Sequence, residues 1–300
     1  MPLLLSQKKV LLTGASRGFG EAIAICLARE GASLALVARG AAELESLSAK
    51  LGADSTIEGQ KFLPIAADLS YAPDIDRAVE LCQCDLGEID ILVNNAAIQG
   101  QIGPLETADW QAWRESFDVN LFAPARLCQL VIPAMRRRGG GKIINISGGG
   151  ATSPRPDFSA YAAAKCALVR LSETLAEELN DARIDVNAVS PGAMNTRMLD
   201  EVLQAGPGAS REYAGAVKRQ REGGASMENA AGLVAMLASS LCDGITGRLI
   251  SAVWDDWKTL PERARELLDT DMYTLRRVTN SERKPGLPPA AIKHSAATAT

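Results

Sequence analysis

The sequence predicts an α/β fold: a doubly wound, seven-stranded parallel sheet with helices on both faces, in a single domain. Three observations carry this. Short apolar runs alternate with helical patterns, a glycine-rich turn joins the first run to the first helix, and polar residues recur just past the ends of the runs. Strand candidates lie at 8–13, 33–38, 61–66, 89–94, 141–146, 183–189 and 247–253. Helical patterns fill the gaps at 18–30, 41–51, 73–86, 109–137, 158–180 and 226–240. Such alternation implies right-handed crossovers between parallel strands, and ligands then gather at the carboxyl ends of the strands. No internal repeat interrupts it.

Length and composition suit one compact domain. A chain of 300 residues with 47% hydrophobic content can bury a large core. A net charge of −4 gives no basic stripe for nucleic acid, and the runs RRR at 136–138 and KRQR at 218–221 read as solvated helix ends. The opening MPLLLSQKK is too short for a signal-peptide core, and no stretch approaches the ~20 apolar residues of a membrane span. A soluble, cytoplasmic protein is expected. Cys26, Cys82, Cys84, Cys128, Cys166 and Cys242 show no C-x-x-C pairing and read as reduced thiols packed like small apolar residues. The single histidine, His294, lies in a tail rich in Pro, Ala and Ser. That argues against Ser-His-Asp hydrolysis, His-based acid–base catalysis and His-ligated metal sites, so no metal is expected. Residues 281–300 have little to bury and are expected to be disordered.

The first strand, KKVLLTG at 8–14, runs into Gly14, Ala15, Ser16, Arg17, Gly18, Phe19 and Gly20, and then into the helical pattern EAIAICLAREG. Glycines let a pyrophosphate approach the backbone and let the helix pack close to the strand, while the helix N-terminus offers unpaired N–H groups. The spacing is TG-x-x-x-G-x-G, not the commoner G-x-G-x-x-G. Far along the chain, Tyr161 and Lys165 in SAYAAAK sit one helical turn apart on one face. A phenol with an ordinary pKa of about 10 is protonated at neutral pH, and a neighbouring ammonium stabilises its anion. The pair is a proton-transfer device.

Seven motifs now stand in one order: TGASRGFG at 13–20, Asp68 in AADLS, NNAA at 94–97, Asn120 in VNLF, Ser147 in IINIS, YAAAK at 161–165 and PGAMNT at 191–196. On these the chain, from residue 6 to about 257, resembles the short-chain dehydrogenase/reductase family. The resemblance implies a Rossmann-like domain that binds NAD(P) and oxidises or reduces at carbon bearing oxygen. It further implies a cofactor site built from Gly14, Ser16, Arg17, Gly18, Phe19 and Gly20, with Asp68 and Leu69 beside the adenine and Asn94 and Ala96 on the central strand. Pro191, Gly192 and Thr196 would hold the nicotinamide end, and Tyr161 and Lys165 the ribose. Ala97 stands where the family usually has glycine, so a slightly altered turn is expected there.

Charge argues for the form of the dinucleotide. An acid after the second strand would bond the adenine ribose hydroxyls, whereas a 2′-phosphate requires cations there. SLALVARG ends in Ala38 and Arg39 with no acid before Glu43, and Arg17 adds a second guanidinium. NADP(H) is expected, with NAD(H) as the alternative.

By the resemblance, Tyr161 is general acid in reduction and base in oxidation. Lys165 would lower its pKa, and Asn120 would hold a water that joins Lys165 to solvent, or satisfy helix backbone as a buried amide. The serine departs from the family. The usual position, thirteen before the tyrosine, is Gly148, and Ser147 is fourteen before it. Either Ser147 polarises the substrate oxygen, or a hydroxyl of the GGGATSPRPDF loop, Thr152 or Ser153, replaces it.

The segment 197–225 is longer and more polar than a crossover needs, and in the family it forms a substrate lid. Met194, Met198, Leu199 and Tyr213 are candidates for its inner face. The carboxyl end continues past ITGRLISAVWDDW into a predicted extra helix at 258–280. Trp254 and Trp257, flanking Asp255 and Asp256, suit an oligomer interface or a sugar-like substrate. The resemblance implies a homodimer or homotetramer. The reading reached is an NADP(H)-dependent oxidoreductase interconverting a small-molecule secondary alcohol and a carbonyl. A redox-neutral epimerase with retained cofactor and a non-catalytic dinucleotide sensor are the alternatives.

Overall fold

The apolar runs form seven strands in one sheet. In chain order the elements of the computed structural model, which describes residues 3–278 apart from Ala209, are β1 (Lys9–Thr13), α1 (Gly18–Arg29), β2 (Ser33–Ala38), α2 (Ala41–Asp54), β3 (Phe62–Ala66), α3 (Ala72–Leu86), β4 (Ile91–Asn94), α4 (Trp110–Phe117), α5 (Ala123–Arg138), β5 (Gly141–Ile146), α6 (Ser159–Glu178), β6 (Ile184–Ser190), α7 (Arg197–Ala205), α8 (Tyr213–Glu222), α9 (Met227–Ala238), β7 (Leu249–Ser251) and α10 (Leu260–Leu268). The spatial order is β3-β2-β1-β4-β5-β6-β7, all parallel. The strand order reverses between β1 and β4, and a crevice opens there at the carboxyl edge.

Both faces of the sheet are dry, which is why its strands read as unbroken apolar runs. Alternate side chains serve opposite cores. Val10, Leu12, Leu34, Leu36 and Val93 pack with α1 (Ile23, Leu27) and α9 (Leu233, Val234, Leu237). Leu11, Ala35, Val37, Leu92 and Ile143 pack with α3 (Ile75, Val79) and α5 (Leu127, Val131). Cys82, Cys128 and Cys242 are buried among them as free thiols, and burial pushes them up to about 12, 12 and 11. Among the described residues no helix is long and apolar enough to cross a membrane, and no cluster of potential metal ligands occurs.

Two expectations about helices need correction. The pattern over 109–137 is not one helix, because a π-helical turn at Asp118–Phe122 separates α4 from α5. The widened turn lets the fully buried Asn120 reach out of the helix: its Oδ1 accepts from the Ile98 N–H at 3.2 Å, and its amide donates to the Ile98 carbonyl at 2.7 Å and to Ser116 Oγ at 3.0 Å. The extra helix expected at 258–280 ends at Leu268. Beyond it the chain turns back along β7, where Leu249 N–H donates to the Tyr273 carbonyl at 2.7 Å.

Arg248 holds that turn. Nearly buried, it donates to the carbonyls of Thr270 and Met272, each at 2.8 Å, and to that of Leu267. One side chain thereby ties the last turn of α10 and the segment after it to β7, with the Leu267 carbonyl accepting from both Arg248 and the Thr270 N–H. The returning segment also covers the open edge of β7. Replacing Arg248 with Met should therefore lower stability by about 2–4 kcal/mol, since charged donors leave and their acceptors remain. Urea unfolding measures this, and an unchanged midpoint would contradict the role given to Arg248.

The two tryptophans part company. Trp257 is buried against Gly232 of α9, whose backbone leaves room for the ring, whereas Trp254 is 87% exposed. Asp255 Oδ2 accepts from the Ser251 N–H at 2.7 Å and closes the turn after β7. His294 and the tail at 281–300 lie outside the described residues.

Candidate active site

A cleft of about 1120 Å³ runs along the carboxyl edge, over the ends of β1, β4, β5 and β6. Its first wall is the glycine loop. Gly14, Ser16, Arg17, Gly18, Phe19 and Gly20 all line it. Gly14 has a left-handed φ of +65°, and a Cβ there would come within 2.8 Å of Ala96 Cα. At Gly20 a Cβ would meet the Gly14 carbonyl oxygen at 1.9 Å, so only glycine lets α1 start this close to the strand. No side chain caps the start of α1. Its first amides are left free of side-chain partners beside the cleft.

Arg39 and Asp68 line the far end with Leu69. The Asp68 carboxyl is held below its usual range, chiefly by the Ser70 N–H at 2.9 Å and also by the Arg39 charge. Asp68 does not cap α3, whose N-cap position, Tyr71, has no side-chain cap bond. Glu43 also lines this end, its carboxylate against the open side of Gly40.

The middle wall corrects one assignment. Asn94 is buried within the sheet, donating to Asn145 Oδ1 at 2.8 Å, and does not line the cleft. Its neighbour Asn95 does, and donates to the carbonyls of Thr13 at 3.0 Å and Gly14 at 3.2 Å. Period-two alternation explains the swap: once Asn94 points into one face of the sheet, the next residue is the one free to turn elsewhere. Ala96, Ala97, Pro191, Gly192 and Thr196 line the cleft as expected.

Tyr161 and Lys165 lie on the first turns of α6, both buried and both in the cleft wall. The Tyr161 hydroxyl rests against Gly148: a Cβ built on that glycine would lie 2.2 Å from it. Burial pushes the Tyr161 phenol above its ordinary value, the Arg155 charge works against the rise, and Glu212 adds to it. Lys165 is 1% exposed and donates to the Ile146 carbonyl at 2.8 Å, and burial pulls it down to about 7.

Ser147 follows β5 directly and lines the cleft. Its buried Oγ has no partner among the described residues. Thr152 and Ser153 are exposed and do not line it, so the alternative hydroxyls stand away from the site. Asn120 does not line it either, because Ile98 and Ser116 take its amide.

At the opposite end the expected lid segment carries α7 and α8. Met194, Met198 and Leu199 line the cleft, and Tyr213 does not. Sequence reasoning missed Asn95, Gln99, Arg155 and Glu212, which do. Arg155 lies between two prolines in a loop without periodicity, so nothing in the sequence tells which way its side chain turns.

The order of motifs along one sheet edge can be set against known proteins. A family model described as short chain dehydrogenase matches residues 8–206. The chain belongs to that family. Dehydrogenase/reductase SDR family member 4 of Pongo abelii is 33% identical over 246 residues, covering 82% of this chain and 86% of that protein. Among solved structures, L-sorbose reductase from Gluconobacter frateurii, complexed with NADPH and L-sorbose, matches with a TM-score of 0.74 at 30% identity, over 84% of this chain and 97% of that one. A 3-ketoacyl-(acyl-carrier-protein) reductase from Brucella melitensis, complexed with NADH, matches with a TM-score of 0.71 at 30% identity, over 82% and 97%. The chain thus shares its fold with oxidoreductases whose solved structures hold nicotinamide dinucleotides.

Proposed function

We propose that this chain is an NADP(H)-dependent oxidoreductase that interconverts a secondary alcohol and a carbonyl. The observation that carries the reading is the Tyr161 hydroxyl in the cleft wall against Gly148, with Lys165 buried one turn further on. The residues fit a dinucleotide: glycine at 14 and 20 lets α1 start close to β1 with no side chain capping its first amides beside the cleft, and two guanidinium-bearing residues, Arg17 and Arg39, line the same cleft. When bound, the cofactor supplies or takes up the hydride.

The chain's own residues do the rest. Gly14, Ser16, Gly18, Phe19 and Gly20 would hold the pyrophosphate, Asp68 and Leu69 the adenine, and Pro191, Gly192 and Thr196 the nicotinamide end. Tyr161 gives a proton to the carbonyl oxygen in reduction and takes one from the hydroxyl in oxidation. Lys165 would bond the ribose hydroxyls. Ser147, whose buried Oγ lacks a partner, is the donor available to polarise the substrate oxygen. The test is NADPH oxidation against a panel of ketones, ketosteroids, quinones, acyl ketones and keto sugars. Similarity to the sorbose and ketoacyl reductases puts the last two first. If no carbonyl consumes NADPH stoichiometrically, the reading gives way to a redox-neutral epimerase or a dinucleotide sensor.

Arg39 supports the phosphorylated cofactor, and Glu43, lining the same end, favours NAD(H). Arg39→Asp should raise the NADPH Michaelis constant on the order of 10- to 100-fold, the equivalent of one lost charge-assisted bond to phosphate, and change that for NADH little. Equal effects on both would reject the NADP(H) assignment. We further read the protein as a cytoplasmic homodimer or homotetramer, a reading supported by an apolar groove between α5 and α6 lined by Ile132, Pro133, Leu171 and Leu175.

A further inference from the structure

The loop between β5 and α6 brings Arg155 beside the phenol. Its guanidinium carbon lies 5.2 Å from the centroid of the Tyr161 ring and 3.7 Å from that of Phe158. Glu212, at the N-cap of α8, grips it with two bonds, Nε to Oε1 at 2.7 Å and Nη2 to Oε2 at 2.8 Å. Gln99 Oε1 accepts a third bond at 3.3 Å. Gln99 is itself held, donating to the Met198 carbonyl at 2.7 Å and to Glu201 Oε2 at 3.2 Å. A guanidinium bonded by residues after β4 and at the start of α8, and stacked on Phe158, has little freedom to leave the ring.

Lys165 stands slightly further from the ring than Arg155. Its ammonium is 5.8 Å from the same centroid and is bonded to the Ile146 carbonyl. Burial pulls Lys165 down to about 7, whereas a guanidinium keeps its charge throughout the neutral range. The charged groups around Tyr161 are then Arg155 from the loop, Lys165 from its own helix and Glu212 from the start of α8. Glu201 of α7 stands one bond further out, through Gln99. At Gly148, the position facing the hydroxyl, the chain offers no side chain.

We propose that Arg155 is a positioning residue for the proton transfer: its guanidinium, pinned over the Tyr161 ring, favours the phenolate, and Glu212 opposes it. The inference rests on the reading of Tyr161 as the proton-transfer residue. It agrees with the separate directions in which the two charges act on the phenol, Arg155 downward and Glu212 upward.

The two partners of one ion pair must then have opposite effects. Tyrosinate absorbance of the full chain, taken as a difference against Tyr161→Phe, isolates this phenol from the other three tyrosines. Glu212→Gln should ionise Tyr161 at lower pH than the wild type, and Arg155→Met at higher pH or not before unfolding. Arg155→Lys, which keeps the charge, should return toward the wild type. If Arg155→Met ionises no later than the wild type, or Glu212→Gln no earlier, the inference fails. A common shift in both variants would mean that the pair only braces the loop. With the carbonyl that the panel identifies, alcohol oxidation near neutral pH should fall on the order of tenfold in Arg155→Met, because less of the base is ionised. Turnover by Tyr161→Phe separates the two ideas: if it persists, the proton-transfer reading falls and the titration alone judges Arg155; if it is lost while the shifts fail, only Arg155 is misjudged.

Discussion

Tyr161→Phe should lower turnover about 10²- to 10⁴-fold while weakening cofactor binding by no more than the single ribose contact expected of the phenol, since the change removes a general acid and that one hydroxyl. The ring remains to pack against Phe158, Leu199 and Val202, so the fold should hold. The hydroxyl's listless surroundings make the assay clean: it faces a glycine, and its loss leaves no buried donor orphaned at that spot. Fluorescence titration with NADPH beside steady-state kinetics separates binding from chemistry. Undiminished NADPH consumption would sink the proposed mechanism.

The second large effect comes from adding a side chain. Gly148 stands where the family usually carries its serine, so restoring Ser would ordinarily be expected to help. Geometry predicts the reverse. A Cβ at 148 would sit 2.2 Å from the Tyr161 hydroxyl, 3.0 Å from the carbon that bears it and 3.1 Å from the next ring carbon. The ring is buried and stacked near Arg155, so it cannot simply swing into solvent. Gly148→Ser and Gly148→Ala should both displace the phenol and cost on the order of 10² in kcat, a loss expected for a reacting group moved by about 1 Å. Backbone strain is not the cause, because Gly148 is outside the set of glycines with positive φ. Equal loss in Ala and Ser, with unfolding midpoints near the wild type, identifies displacement; a gain by Ser alone would show that the position still accepts the family's hydroxyl.

How much of this was legible in the residues depends on the kind of signal. Glycine spacing and the Tyr161–Lys165 interval carry geometry in themselves, because a tight turn and one helical turn leave few arrangements. Both were found where the motifs put them. Asn94 and Asn95 were not told apart, since two adjacent amides at a strand end are distinguished only by which face the last strand residue takes. Asn120 was read for its chemistry, yet its amide is bound to Ile98 and Ser116 through a π-helical turn that no periodicity announces. The extra carboxyl-terminal helix was overread because its amphipathic pattern continues past Leu268, while Arg248, some twenty residues earlier, binds the carbonyls of the following segment and holds it against β7.

Local order, then, was written in the chain: an apolar run can lie in a doubly covered parallel sheet, and four residues make one turn, wherever the segment ends up. Which groups meet across the cleft was decided only when distant segments packed. Arg155 and Gly148 reach Tyr161, and Glu212 and Gln99 reach Arg155, from loops and helix ends whose direction depends on contacts up to more than a hundred residues away, such as that of Gln99 with Glu201. Side-chain charge acts through space, not along the sequence, so the environment of the phenol belongs to the tertiary structure.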